Sequence, residues 1–246
     1  MKLHQKAVSW IIDYAYLARG GAIMAIHKNP PEHYLGYVVD GKVPVILIPG
    51  IFGKWGFMKH LGDALSYLGH PVHVLPKLGY NVSNIPDAAR MLHVAVDTIF
   101  SPKEALSSDT APRGAIIVAH SKGGLIGKYF LAHHNKKGQV VGMISIATPF
   151  SGSSLGNFLP VDAIEELDID SPLIQALNSE TEVNTKIVSI VPEYDNHVWA
   201  KNGSTLKGAE NIHIPVRGHH KVVFSDQVIV QVCKSVEKIT KKNFVE

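Results

Sequence analysis

Residues 116–134 read IIVAHSKGGLIGKYFLAHH. A run of small and β-branched residues stops at His120-Ser121, two glycines follow, and a helix-like segment comes next. A serine at the carboxyl end of a buried strand stands where reacting groups gather in a parallel α/β sheet. Turning its side chain toward solvent demands a very tight strand-to-helix turn, and the positions two before and two after it must then be small. Here they are Ala119 and Gly123, with Gly124 beside them. That is a nucleophile-elbow arrangement with alanine in the first small position. The helix that follows offers backbone N–H groups to a developing negative charge. The plainer alternative is a serine that merely caps the helix. The buried strand before it and the helix after it favour the nucleophile.

The stretch AHSKGG resembles the elbow of the α/β-hydrolase superfamily, and in particular that of small bacterial lipases of the Bacillus lipase A type. The resemblance implies further parts in the order serine, acid, histidine. A serine hydroxyl needs a base within hydrogen-bond reach, and in these lipases the base directly follows a glycine after the last strand. VRGHHKVVFSDQV, residues 216–228, then points to His219, with the adjacent His220 as the second choice. The acid, which fixes the imidazole tautomer, belongs just after the penultimate strand. KIVSIVPEYDNHVWA offers Asp195 and, nearer the strand, Glu193; Asp195 has the family-like spacing, 24 residues before His219 (219 − 195). Asp168 and Asp170 fall in an irregular segment and read as surface residues or caps. Asp226 suits the start of the last helix.

The resemblance also implies an oxyanion hole built from the backbone N–H groups of Lys122 and Ile51. The family usually has His-Gly where this chain has Pro49-Gly50. That departure bears on the rigidity of the loop rather than on the Ile51 donor. The Lys122 ammonium is expected to point to solvent. Residues 149–185 lie where such hydrolases carry a lid or acyl-binding wall, and TPFSGSSLG at 148–156 resembles a lipase signature. Phe150, Leu155, Phe158, Leu159, Ile164 and Leu167 could line an acyl groove or belong to an ordinary crossover, and Phe52, Trp55 and Phe57 could add an apolar rim. The expected activity is hydrolysis of a carboxylic ester with an apolar acyl part through an acyl-enzyme. An acyltransferase with the same triad and a silent binding module are the rivals. No cofactor is expected. Zinc held by His197, His213, His219 and His220 with Asp195 is a weaker reading, because the histidines lack helical i, i+4 pairing.

These groups need a scaffold, and the hydropathy pattern supplies one. Short apolar runs at 43–48, 71–76, 114–120, 140–148, 186–192 and 210–216 read as strands, and HYLGYVV at 33–39 as an edge or entry strand. Helix patterns cover 57–68, 84–100, 123–134 and 225–239. Such alternation predicts an α/β-hydrolase fold: a mostly parallel sheet with helices on both faces.

The 246 residues suit one α/β-hydrolase domain, with a helical segment over residues 1–30. Hydrophobic residues make up 46% and charged ones 18%, which excludes a disordered chain. A net charge of +3 is too small to argue for nucleic acid. The single cysteine, Cys233, excludes an internal disulfide. The apolar stretch near the N-terminus is broken by Asp13, Arg19 and Gly20-Gly21 short of the roughly 18 apolar residues of a membrane span. It reads as an amphipathic helix packed on the domain, with contact to a lipid surface as the alternative. With no clear signal peptide the expected location is the cytoplasm.

Overall fold

Val45–Ile48 and Ala115–His120 are buried at every residue, and they mark the centre of the sheet. Strands covered on both faces show continuous apolar runs, because neither side chain set meets water. The computed structural model describes residues 3–101, 114–153, 162–200 and 203–244. Its sheet contains β1 (Val45–Ile48), β2 (Val72–Val74), β3 (Ala115–His120), β4 (Val140–Ile146), β5 (Ile187–Tyr194) and β6 (Glu210–Arg217). The spatial order is β2-β1-β3-β4-β5-β6, and every pairing is parallel. Among the described residues the helices are α1 (Leu3–Ile26), α2 (His33–Gly36), α3 (Lys59–Tyr67), α4 (Ile85–Ile99), α5 (Lys122–His133), α6 (Asp162–Glu165), α7 (Pro172–Ser179) and α8 (Asp226–Phe244).

Alternation along β1 splits the core in two. Val45 and Leu47 face a cluster with Leu61 and Leu65 of α3 and Val228, Val232, Val236 and Ile239 of α8. Ile46 and Ile48 face the opposite cluster, with Ala88, Leu92 and Val96 of α4 and Leu125, Ile126 and Phe130 of α5. In α3, α4 and α8 these residues recur three or four apart, the spacing of a single helical face, whereas α5 is buried on most sides. Local signals agree with these boundaries. The Asn84 side chain accepts the Asp87 N–H at 2.8 Å and caps α4. Asp226 in the first turn of α8 and Lys241-Lys242 in the last complement the helix dipole.

Two expectations need correction. Residues 33–39 form no strand: His33–Gly36 is a helical turn, and Leu35, Tyr37, Val38 and Val39 are exposed. Pro30-Pro31 starts this turn, and burial of the Tyr34 ring, whose hydroxyl donates to the Lys59 carbonyl at 3.2 Å, anchors it. The strand read at 71–76 ends at Val74, and a 3₁₀ turn starts at Pro76, which has no N–H for a ladder.

Helix α1 packs through an unusual stripe. Its buried residues are Ser9, Asp13 and Gly20, whereas Leu3, Val8, Ile11 and Ile26 are exposed. At Gly20 any Cβ would overlap the Phe57 ring, so glycine is what lets the helix approach. Among the described residues no helix is long and apolar enough to cross a membrane.

Candidate active site

The end of β3 shows why small residues surround Ser121. Its backbone adopts φ 53° and ψ −127°, a region that non-glycine residues rarely occupy. The Ser121 N–H donates to the Ile146 carbonyl at 2.9 Å, and the Ser121 carbonyl accepts from the Gly124 N–H at 2.9 Å and from Thr148 Oγ1 at 3.0 Å. These three partners hold the turn in its strained form. A Cβ at Gly123 would overlap the Ile48 carbonyl, and one at Gly124 would overlap the Thr148 side chain. Glycine is the residue that fits at both.

Residues from three strand ends converge on this serine. His219, just after β6, brings Nε2 to 2.9 Å from Ser121 Oγ. Its Nδ1 lies 2.8 Å from Asp195 Oδ2, in the loop after β5. The other carboxylate oxygen, Oδ1, accepts the N–H groups of His197 and Val198 at 2.8 and 2.9 Å. The His219 N–H donates to Asn196 Oδ1 at 3.0 Å, and the His219 carbonyl lies 2.9 Å from His120 Nε2. Burial by itself would raise the Asp195 pKa. The His219 charge, its hydrogen bond and the two backbone donors outweigh burial and hold the carboxyl below its usual 3.8. For His219, burial pushes the imidazole down, but the charge and hydrogen bond of Asp195, aided by Asp13, leave it above the ordinary 6.5. His120 is pushed well below 6.5, first by burial and then by the neighbouring His219 and His220 charges, so it stands as a neutral ring.

The second choices read from sequence have other partners. Glu193 is exposed and pairs with Arg217, at 3.0 Å to Nε and 2.7 Å to Nη2. His220 Nδ1 lies 2.8 Å from Asp13 Oδ2 of α1. Asp13 is the residue that sequence reasoning missed. Its signal was an acid inside an apolar helical run, which is where a buried carboxylate with dedicated donors belongs. Among the described residues, Asp13, His197 and His220 also form the group compact enough to hold a metal ion, with candidate ligand atoms within 4.8 Å of one another. Of the residues weighed as a weaker zinc reading, His197 and His220 fall in this group. His213 and His219 lie outside this group, and Asp195 serves His219.

Lys122 requires the clearest correction. Its side chain does not reach solvent but is fully buried, with Nζ donating to the Ser83 carbonyl at 2.8 Å and ion-paired with Glu166 Oε1 at 2.6 Å. Glu166 Oε2 in turn accepts the Ile85 N–H at the start of α4, at 2.9 Å. Burial lowers the Lys122 pKa below 10.5, and Glu166 opposes that shift. The ammonium is buried because the adjacent wall supplies a carboxylate and a carbonyl at its tip. The loop after β1 is likewise tied down: Asn81 Nδ2 donates to the Pro49 carbonyl at 2.7 Å, and the Gly53 N–H donates to the Gly50 carbonyl at 3.1 Å. The rigidity that the Pro49 substitution put in question comes from these bonds.

Ser121 and His219 open into a cavity of about 260 Å³, lined by Ile51, Phe52, Phe57, Ile164, Leu167 and residues of α1. Trp55 lies elsewhere, packed edge-on against Tyr34 with 6.1 Å between ring centroids. Phe150 belongs to the core beneath α5. Leu155, Phe158 and Leu159, read as groove residues, lie outside the described residues.

Sequence comparison matches residues 77–209 to the PGAP1-like alpha/beta domain, a span of more than half the chain. The chain belongs to that family. The matched span includes Ser121 and Asp195 and stops before His219. No curated protein matches the chain in sequence. Among solved structures, this PGAP1-like domain is similar to the mature form of the Bacillus licheniformis lipase BlEst2, at 15% identity and a TM-score of 0.64. The match covers 85% of this chain and 96% of that one. Aspergillus fumigatus lipase B aligns at 17% identity and a TM-score of 0.68, over 85% of this chain and 55% of that one. The metagenomic carboxyl esterase MGS0156 aligns at 13% identity and a TM-score of 0.62, over 91% of each chain. These likenesses establish the α/β-hydrolase fold of the PGAP1-like domain.

Proposed function

We propose that the chain is a serine hydrolase that cleaves carboxylic esters with an apolar acyl part. One observation carries this reading: the continuous contact from Ser121 Oγ through His219 to Asp195 at the mouth of an apolar cavity. The neutral His219 Nε2 takes the hydroxyl proton as Oγ attacks the ester carbonyl. The N–H groups of Ile51 and Lys122 receive the negative charge that forms on the carbonyl oxygen, and losing one such donor costs on the order of 3 kcal/mol of barrier. His219 then protonates the leaving alcohol. An acyl-enzyme remains on Ser121, and water activated by the same imidazole releases the acid. Phe52, Phe57, Ile164 and Leu167 supply apolar contact for the acyl chain. The lipases and esterases that share the fold support the reading without assigning a substrate.

The test is incubation with p-nitrophenyl butyrate and labelling with a fluorophosphonate. Turnover and a single label on Ser121 are expected, and folded protein that neither turns over nor labels refutes the proposal. Ester product formed from an added alcohol would show transfer as well as hydrolysis.

The pH dependence follows from the sign of the His219 shift. The base must be neutral, and its pKa lies above 6.5 because Asp195 favours the charged form. Activity is therefore lost as pH falls through that raised value. The profile of kcat/KM should show an acid limb centred above pH 6.5, and a midpoint below 6.5 contradicts this assignment of the base.

A further inference from the structure

Asp13 has three donors. Its Oδ1 accepts the backbone N–H groups of His220 at 2.7 Å and Lys221 at 2.8 Å, and its Oδ2 lies 2.8 Å from His220 Nδ1. The side chain is fully buried, at 0% exposure, and comes from α1, whereas its partners sit at the far end of the chain. Gly218 interlocks with it: φ is 117° there, and a Cβ would stand 2.5 Å from Asp13 Oδ1. The Gly218 N–H donates to the Tyr194 carbonyl at 2.8 Å. The loop bearing His219 is thus fastened on its upstream side to β5 and on its downstream side to α1.

We propose that Asp13 is a positioning residue for the base: by holding the N–H groups of His220 and Lys221 it fixes the backbone that aims His219 Nε2 at Ser121 Oγ. The inference rests on the ester-hydrolase reading for its kinetic consequence. Hydrogen bonds from N–H groups to a carboxylate are roughly twice as strong as neutral ones, which suits a short loop that must not shift. Burial opposes the Asp13 charge, but the His220 hydrogen bond and charge and the Lys221 N–H keep the carboxyl ionised, well below its usual 3.8. The groups that face the His219 imidazole are Asp195, His120, His197 and His220, and Asp13 adds its negative charge from behind His220.

The test compares Asp13→Asn with Asp13→Ala in the full chain. Asparagine keeps an oxygen for the two N–H groups but loses the charge, and alanine loses both. A misplacement of about 1 Å in a reacting group costs on the order of 10²-fold, so Asp13→Ala should lower kcat by about that factor with KM little changed. Asp13→Asn should lose less and should move the acid limb of the pH profile downward, because a charge that favours the imidazolium is gone. A purely structural role would not move that midpoint. The second readout needs no turnover: the downfield Nδ1 proton of His219 in the NMR spectrum should broaden or vanish in Asp13→Ala and persist in the parent. Failure of the parent to label or turn over sinks the hydrolase reading, and the NMR result still decides the role of Asp13. Folded Asp13→Ala with the parent's kcat and an unchanged Nδ1 signal overturns the proposal. If Asp13→Ala does not fold, Asp13→Asn with unchanged kcat and unchanged midpoint overturns it.

Discussion

Asp195→Asn should lower kcat by about four orders of magnitude while the protein stays folded. The native carboxylate accepts a hydrogen bond from His219 Nδ1–H, which keeps the proton on Nδ1 and leaves Nε2 unprotonated and facing Ser121. Asparagine retains an oxygen for the N–H groups of His197 and Val198, which preserves the loop. Its amide nitrogen then faces His219, and an N–H cannot accept from Nδ1–H. The ring responds by moving its proton to Nε2, where it can no longer take the serine hydrogen. The loss should appear in kcat more than in KM, because the acyl cavity is untouched. Rates measured on p-nitrophenyl butyrate, alongside thermal melts, decide the matter. A folded Asp195→Asn variant within tenfold of the parent, roughly, would remove Asp195 from the machinery.

Lys122→Met should destabilise the fold by about 3 kcal/mol. The methionine fills a similar volume, so the cost is not a cavity. It comes from Glu166, mostly buried and left without its ammonium partner, and from the Ser83 carbonyl, left without its donor. Adding Glu166→Gln should recover part of the loss, because glutamine can still accept the Ile85 N–H and carries no unpaired charge. Urea unfolding of the two variants and the parent measures both terms. A single variant as stable as the parent would show that the buried pair contributes nothing net.

These two residues also show what a sequence can and cannot reveal. The position of Asp195 was legible because the family resemblance points to the loop after the penultimate strand, which offers Glu193 and Asp195, and the structure brings Asp195 to His219. The central strands were legible because burial on both faces leaves an uninterrupted apolar run. Lys122 was misread because a lysine beside a serine at a strand end gives no sign of the glutamate that will meet it from a distant wall. Asp13 was missed for the same reason: its partners are the last histidine pair, and no local pattern links an acid in the first helix to them. Residues 33–39 were misread because an apolar run specifies greasiness, while the two prolines and one tyrosine decided the local geometry.

The packing of α1 has a consequence for how the polypeptide comes to life. Asp13 grips the segment behind the third group of the proposed triad from 207 residues earlier in the chain, so it is translated well before that segment. A nascent chain that has already displayed its serine and its acid therefore stays chemically silent. On the proposed mechanism, ester cleavage begins only when the segment after β6 folds back and clasps a helix made earlier.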